Sequence, residues 1–149
     1  VAADDGRVVG EYGKALAQKG RSQDATQFLH RAVELSPNEW SYYSALGVAY
    51  DQIGDQENAR AAYERALSLK PGDATVLNNY ALSRMLAKDP EGARQMIAMA
   101  QSTGKPGDEK IARNVELINK MAPPPAPAKL AKKTEAPQTV AWTDPIHKH

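Results

Sequence analysis

Few side chains in this sequence could do covalent or acid–base chemistry. His30, His147 and His149 are the only imidazoles, and there is no cysteine. The terminal His147-Lys148-His149 offers a metal two nitrogens at most, short of the three or four protein ligands that zinc takes. His30 falls mid-helix between two core positions, where it is expected as a partly exposed helix residue, since a site needs convergent partners. Asp4, Asp5 and Glu57 have no acid–base partner in sequence and read as solvated charges at helix starts. Without cysteine there is no thiolate metal site or thiol nucleophile in the stretch. No phosphate-cradling glycine loop, nucleophile elbow or zinc-ligand spacing occurs either. No catalytic residue, metal or cofactor is therefore expected, and the chemistry left is that of recognition.

Charge narrows the partner. Nineteen Lys and Arg against 18 Asp and Glu leave a net charge of +1, without the basic stripe that nucleic acids require. Tyr12, Tyr43, Tyr50, Tyr63 and Tyr80 fall on expected packing positions, leaving Tyr42, Trp40 and Trp142 over. That is too little for a base-stacking platform. No apolar run reaches the roughly 20 residues that span a bilayer. The expected partner is a protein or peptide.

The elements that must present such a surface announce themselves by repetition. Gly13, Ala25, Ala32 and Pro37 recur 34 residues later as Gly47, Ala59, Ala66 and Pro71. The next step gives Ala81, Ala93 and Ala100, with Pro106 one place late. Large residues keep the same register: Tyr12, Leu46 and Tyr80; Leu29, Tyr63 and Ile97; and Leu16, Tyr50 and Arg84. Helices approach to about 8–10 Å only through small contact residues, which is the role expected of the Gly and Ala set. Gly20 and Gly54 suit the left-handed end of a first helix. Pro90 opens a second helix, and Pro37 and Pro71 close the second helices. The predicted helices are 7–19, 22–35, 40–53, 56–69, 74–87, 90–102 and 108–121. In the last, Asp108 is the expected N-cap, and Ile111, Val115, Leu117 and Ile118 are expected to share a buried face.

Helical hairpins at this period, with this vocabulary of Gly, Ala, Tyr and Pro, resemble the tetratricopeptide-repeat family over roughly residues 6–107. The implied fold is all-α: a solenoid of three helix-turn-helix repeats plus a C-terminal capping helix, forming one domain over 6–121. Residues 122–149 read as a Pro-rich extended tail. The apolar cluster of Val140, Trp142 and Ile146 within it is expected to dock on a solenoid.

In this family the first helix of each repeat lines a concave groove. The resemblance places Arg7, Glu11, Lys14 and Gln18 there from repeat one. Repeat two contributes Ser41, Ser44, Ala45, Val48, Asp51 and Gln52; repeat three contributes Asn78, Asn79, Leu82, Met85 and Leu86. Asn78 and Asn79 could hydrogen-bond a peptide backbone. Leu82, Met85 and Leu86 would form an apolar floor, or alternatively pack beneath the capping helix. Chaperone-binding members hold a C-terminal carboxylate with a clamp of lysines, asparagines and an arginine. The matching positions here are Gly10, Lys14, Ala45, Thr75 and Asn79, which cannot build that clamp.

The runs Val76-Leu-Asn-Asn-Tyr-Ala-Leu-Ser and Ile111-Ala-Arg-Asn-Val-Glu-Leu-Ile are more particular. They resemble TadD-type lipoproteins of tight-adherence (Flp) pilus systems, although Arg113 and Asn114 are adjacent where that group often separates them by one residue. This resemblance implies a pilotin that holds the pilus secretin subunit in its groove. It would face the periplasm at the outer membrane, attached only through a lipid anchor upstream of Val1. The alternative expectation is a general scaffold, cytoplasmic or periplasmic, for another peptide.

Overall fold

The computed structural model describes residues 5–124 and Ala126. The candidate tail contacts Val140, Trp142 and Ile146, together with His147 and His149, lie outside the described residues. Seven helices and no strands are present among those described: α1 Gly6–Gln18, α2 Ser22–Leu35, α3 Trp40–Ile53, α4 Gln56–Leu69, α5 Ala74–Leu86, α6 Pro90–Thr103 and α7 Glu109–Met121. None of them is long and apolar enough to cross a membrane. The sequence-based boundaries agree within one residue.

Local chemistry explains the punctuation. Asp55, Asp73, Asp89 and Asp108 each cap the following helix by accepting from a backbone N–H of its first turn, satisfying donors with no partner inside the helix. The hairpin turns share one geometry. The N–H groups of Arg21, Asp55 and Asp89 donate to the carbonyls of Leu16, Tyr50 and Arg84 at 2.9, 2.9 and 2.8 Å. Each turn passes through a left-handed residue: Gly20 at φ 78°, Gly54 at φ 91° and Lys88 at φ 61°. Repeat three thus bears a side chain where repeats one and two use the residue that adopts this region freely.

Packing follows the register. Ala25, Ala32, Ala59, Ala66, Ala93 and Ala100 are all fully buried. A Cβ added to Gly13 would lie 2.7 Å from Leu29 Cγ, and one on Gly47 would lie 2.6 Å from the Tyr63 ring. Leu29, Tyr63 and Ile97 are themselves buried, so each repeat presses a large side chain against a small residue on its partner helix. Tyr63 and Tyr80 stack with ring centroids 5.2 Å apart, joining repeats two and three. Neighbouring first helices (α1 with α3, α3 with α5) touch one another, whereas the second helices pack chiefly on first helices. The stack therefore curves with α1, α3 and α5 on its inner side.

Three expectations are corrected. Tyr12 is 51% exposed and meets only Phe28 edge-on, although its equivalents Leu46 and Tyr80 are buried. Those two pack against the preceding repeat, and no helix precedes α1 among the described residues. Tyr42, expected off the packing surface, is buried because its ring lies where a Cβ on Gly10 would stand. Leu117 is 44% exposed: Ile111, Val115 and Ile118 follow the i, i+4, i+7 stripe, and Leu117 falls beside it. That stripe packs α7 on α6 and α5, covering the end of repeat three.

Candidate functional site: a divided concave groove

A broad cavity of about 730 Å³ between α5 and α7 takes in Gln18, Thr75, Asn78 and Asn79, and two smaller cavities lie beside it along the inner helices. The first, of about 230 Å³, is walled by Lys14 and Gln18 of α1, by Trp40, Ser44, Ala45 and Val48 of α3, and by Thr75 and Asn79 of α5. The second, of about 240 Å³, is formed by Val48, Asp51, Gln52, Tyr63, Asn79, Leu82 and Leu86. Val48 and Asn79 belong to both, so the two lie side by side along the groove. Each is below the roughly 300–1,000 Å³ of a small-molecule site. The sizes suit single side chains of a bound segment.

The cavities differ in chemistry. Lys14 Nζ reaches Glu11 Oε2 at 3.1 Å, a surface pair of little intrinsic strength that leaves the ammonium open to a ligand. Trp40 is half-buried beside it, with Lys70 Nζ 4.4 Å from the ring centroid on its face. In the sequence pattern Trp40 is a surplus aromatic, outside the expected packing positions. Its place at the start of α3, the register position of Gly6 and Ala74, was the available signal.

Asp51 stands in the second cavity. Its Oδ2 accepts from Tyr63 OH at 2.9 Å, and its Oδ1 accepts from Ser83 Oγ at 2.8 Å and Gln56 Nε2 at 3.3 Å. Burial holds the carboxyl above its ordinary value, and the Ser83 and Tyr63 hydroxyls offset part of that rise. Burial, reinforced by the Asp51 charge and hydrogen bond, pushes the Tyr63 phenol far up, so it stays a neutral donor. Asp51 forms no ion pair among the described residues. Leu82 is half-buried and Leu86 is 60% exposed, giving this end an open aliphatic wall.

The remaining candidates are committed elsewhere. Gln52 lines the second cavity, but its amide is held by Ser22 Oγ and by the Ala17 carbonyl, which accepts from Nε2 at 3.4 Å. Asn78 is buried and accepts from Asn114 Nδ2 at 2.9 Å, tying α7 to α5. Met85 packs into the cluster of α5, α6 and α7. Asn79 makes no side-chain hydrogen bond among the described residues, leaving its amide for a ligand at the junction of the cavities. His30 is exposed and meets the Tyr50 hydroxyl. No three His, Asp or Glu side chains gather as metal ligands among the described residues.

The family profile of the tetratricopeptide repeat matches residues 41–73. The first such domain of Spaghetti (RPAP3), solved with HSP90 peptide SRMEEVD, superposes with a TM-score of 0.71 at 13% identity, over 80% of this chain and 94% of that one. The chain has the tetratricopeptide-repeat solenoid fold, and one of its repeats matches the family profile. Such a solenoid is a protein-interaction module. Among relatives, the Hsp70-Hsp90 organizing protein of Triticum aestivum is 35% identical over 112 residues, covering 75% of this chain and 18% of that protein. The type IV pilus assembly protein PilF of Pseudomonas aeruginosa is 28% identical over 120 residues, covering 80% of this chain and 48% of that protein. The chain therefore spans less than half the length of both. Lys14, Ala45, Thr75 and Asn79, four of the five positions that the resemblance matches to the chaperone-binding clamp, line the first cavity, with Lys14 the one cation among them.

Proposed function

We propose that the groove on α1, α3 and α5 holds a segment of a partner protein, and that the partner is the secretin subunit of a tight-adherence pilus. The protein would then act as a pilotin-like assembly factor on the periplasmic face of the outer membrane, anchored by lipid upstream of Val1. The observation that carries the binding reading is the pair of side-chain-sized cavities that adjoin at Val48 and Asn79. Two adjoining cavities of this size suit two side-chain anchors of one segment in a groove. The secretin reading draws on the resemblance of residues 76–83 and 111–118 to TadD-type lipoproteins, and on the likeness to PilF. The alternative, a chaperone peptide such as the one bound by RPAP3, is disfavoured by Gly10, Ala45 and Thr75 at clamp positions. One lysine cannot replace a ring of donors around a carboxylate.

The test is a titration, by anisotropy or calorimetry, with the C-terminal peptide of the secretin from the same genome. SRMEEVD serves as the comparison peptide, and Leu82→Glu/Leu86→Glu as the groove control. Circular dichroism checks the fold of the control. Saturable secretin binding that the double substitution abolishes, with SRMEEVD much weaker, is the expected result. No secretin binding to the folded domain would overturn the secretin assignment, and SRMEEVD binding tighter would replace it with the chaperone reading.

A further inference from the structure

Asp51 breaks the pattern of its own register. The equivalent positions, 34 residues away on either side, hold Ala17 and Met85, one buried and one packed among α5, α6 and α7. Repeat two places a carboxylate where its neighbours place apolar groups. Asp51 is half-buried, and a carboxylate partly withdrawn from water favours a cation or a full set of donors. Here the donors are three and neutral: Tyr63 OH, Ser83 Oγ and Gln56 Nε2. No Lys, Arg or His from α4 or α5 faces it among the described residues, and neither does Lys14 of α1, which pairs with Glu11.

Counting acceptor sites sharpens the point. A carboxylate offers about four lone-pair positions, two per oxygen. Oδ1 already takes Ser83 and Gln56, whereas Oδ2 takes Tyr63 alone. One position remains open, on Oδ2. A guanidinium fork is matched to two oxygens at once, and this carboxylate no longer presents two. An ammonium needs only one. The surrounding wall of Val48, Leu82 and Leu86 suits a four-carbon stem that lies along apolar surface while its charged head reaches a partner.

We infer that the second cavity is a subsite for a lysine side chain of the bound segment, its stem against Val48, Leu82 and Leu86 and its ammonium on Asp51 Oδ2. The inference rests on the reading of the groove as a peptide site and names what one of its anchors must be. It also gives the groove a direction. A lysine enters at the Asp51 end, and the opposite end, with Lys14, favours acidic or neutral residues.

Selection from a displayed library of random dodecapeptides tests this without knowledge of the natural partner. The baits are the wild-type domain, Asp51→Asn and Leu82→Arg/Leu86→Arg, which fills the cavity and adds like charge to a lysine. The expected outcome is a wild-type consensus with one lysine, preferred over arginine and methionine, lost on the Arg double variant. The best peptide and its Lys→Met analogue are then titrated: the change should weaken binding to the wild-type domain about tenfold, roughly one ion-pair contact, and leave binding to Asp51→Asn unchanged. Groove-dependent peptides without a preferred lysine, or with arginine in its place, would overturn the lysine subsite and leave the peptide-groove reading standing. A lysine preference that persists in Asp51→Asn would also overturn it. Failure to select any peptide on the folded wild-type domain would overturn both.

Discussion

The two ends of the groove are built on one backbone register and have opposite chemistry. Lys14, Val48 and Leu82 occupy a single position of the repeat, as do Gln18, Gln52 and Leu86. The inner surface thus changes from cationic and polar to aliphatic with one carboxylate, while the hairpin contacts behind it stay constant. Ala25, Ala59 and Ala93 are fully buried in all three repeats. The difference teaches that this solenoid divides labour by position: contacts between paired helices fix shape, and inner-face positions are left to encode the ligand. Substitutions at the two kinds of position should therefore behave differently.

The sharpest break of that division is a hairpin contact. Gly47→Ala places a methyl 2.6 Å from the Tyr63 ring, and overpacking of this kind destabilises by about 2 kcal/mol. Urea denaturation should show a lower midpoint. Ligand affinity per folded molecule should change only as far as Tyr63, a wall of the second cavity, is displaced.

Asn114→Ala comes next. It leaves the buried Asn78 carbonyl oxygen without its donor, costing roughly 1–2 kcal/mol. Hydrogen exchange should then quicken in α7 ahead of α1.

Asp51→Asn is the converse case, an inner-face change that should stabilise. An amide oxygen can still accept from Ser83 or Tyr63, while the half-buried charge disappears, a gain on the order of 1 kcal/mol at pH 7. The carboxyl is raised above its unfolded value of 3.8, so the folded state takes up the proton first as pH falls. The stability penalty of the charged form is therefore present at neutral pH. It is relieved as pH drops through the raised value, and is gone below 3.8. Melting wild type and variant across that window should show the advantage of the variant shrinking toward acid.

Lys88→Gly tests the turn of repeat three against those of repeats one and two. Relief of the φ 61° conformation, partly offset by the greater freedom of glycine when unfolded, should stabilise by about 0.5–1 kcal/mol. The smallest effect belongs to Lys14→Ala. Its exposed pair with Glu11 contributes a few tenths of a kcal/mol at most, so melting should barely change.

What was legible in the sequence follows the same division. Hairpin contacts are local and recur, so the 34-residue register exposed them, with helix ends falling within a residue. Contacts between repeats are less regular. Val8, Tyr42 and Val76 share one register position, yet Val8 is 51% exposed while the other two are buried, because only the latter have a repeat before them. Tyr42 also needs the space left by Gly10, a dependence that no single-repeat pattern contains. The groove was legible as a face and less so in detail: Asn78 and Gln52 point to polar partners on other helices, Asn114 and Ser22. Those long-range hydrogen bonds decide which amides remain for a ligand, and spacing alone does not encode them.

The central claim is that recognition occurs on the inner face. Amide and methyl NMR shifts, followed during titration with the secretin peptide, test it most directly. Changes are expected to concentrate on Lys14, Val48, Asn79, Leu82 and Leu86. Changes concentrated on α2, α4 and α6, or on the exposed edge formed by Val8, Tyr12 and Phe28, would contradict it.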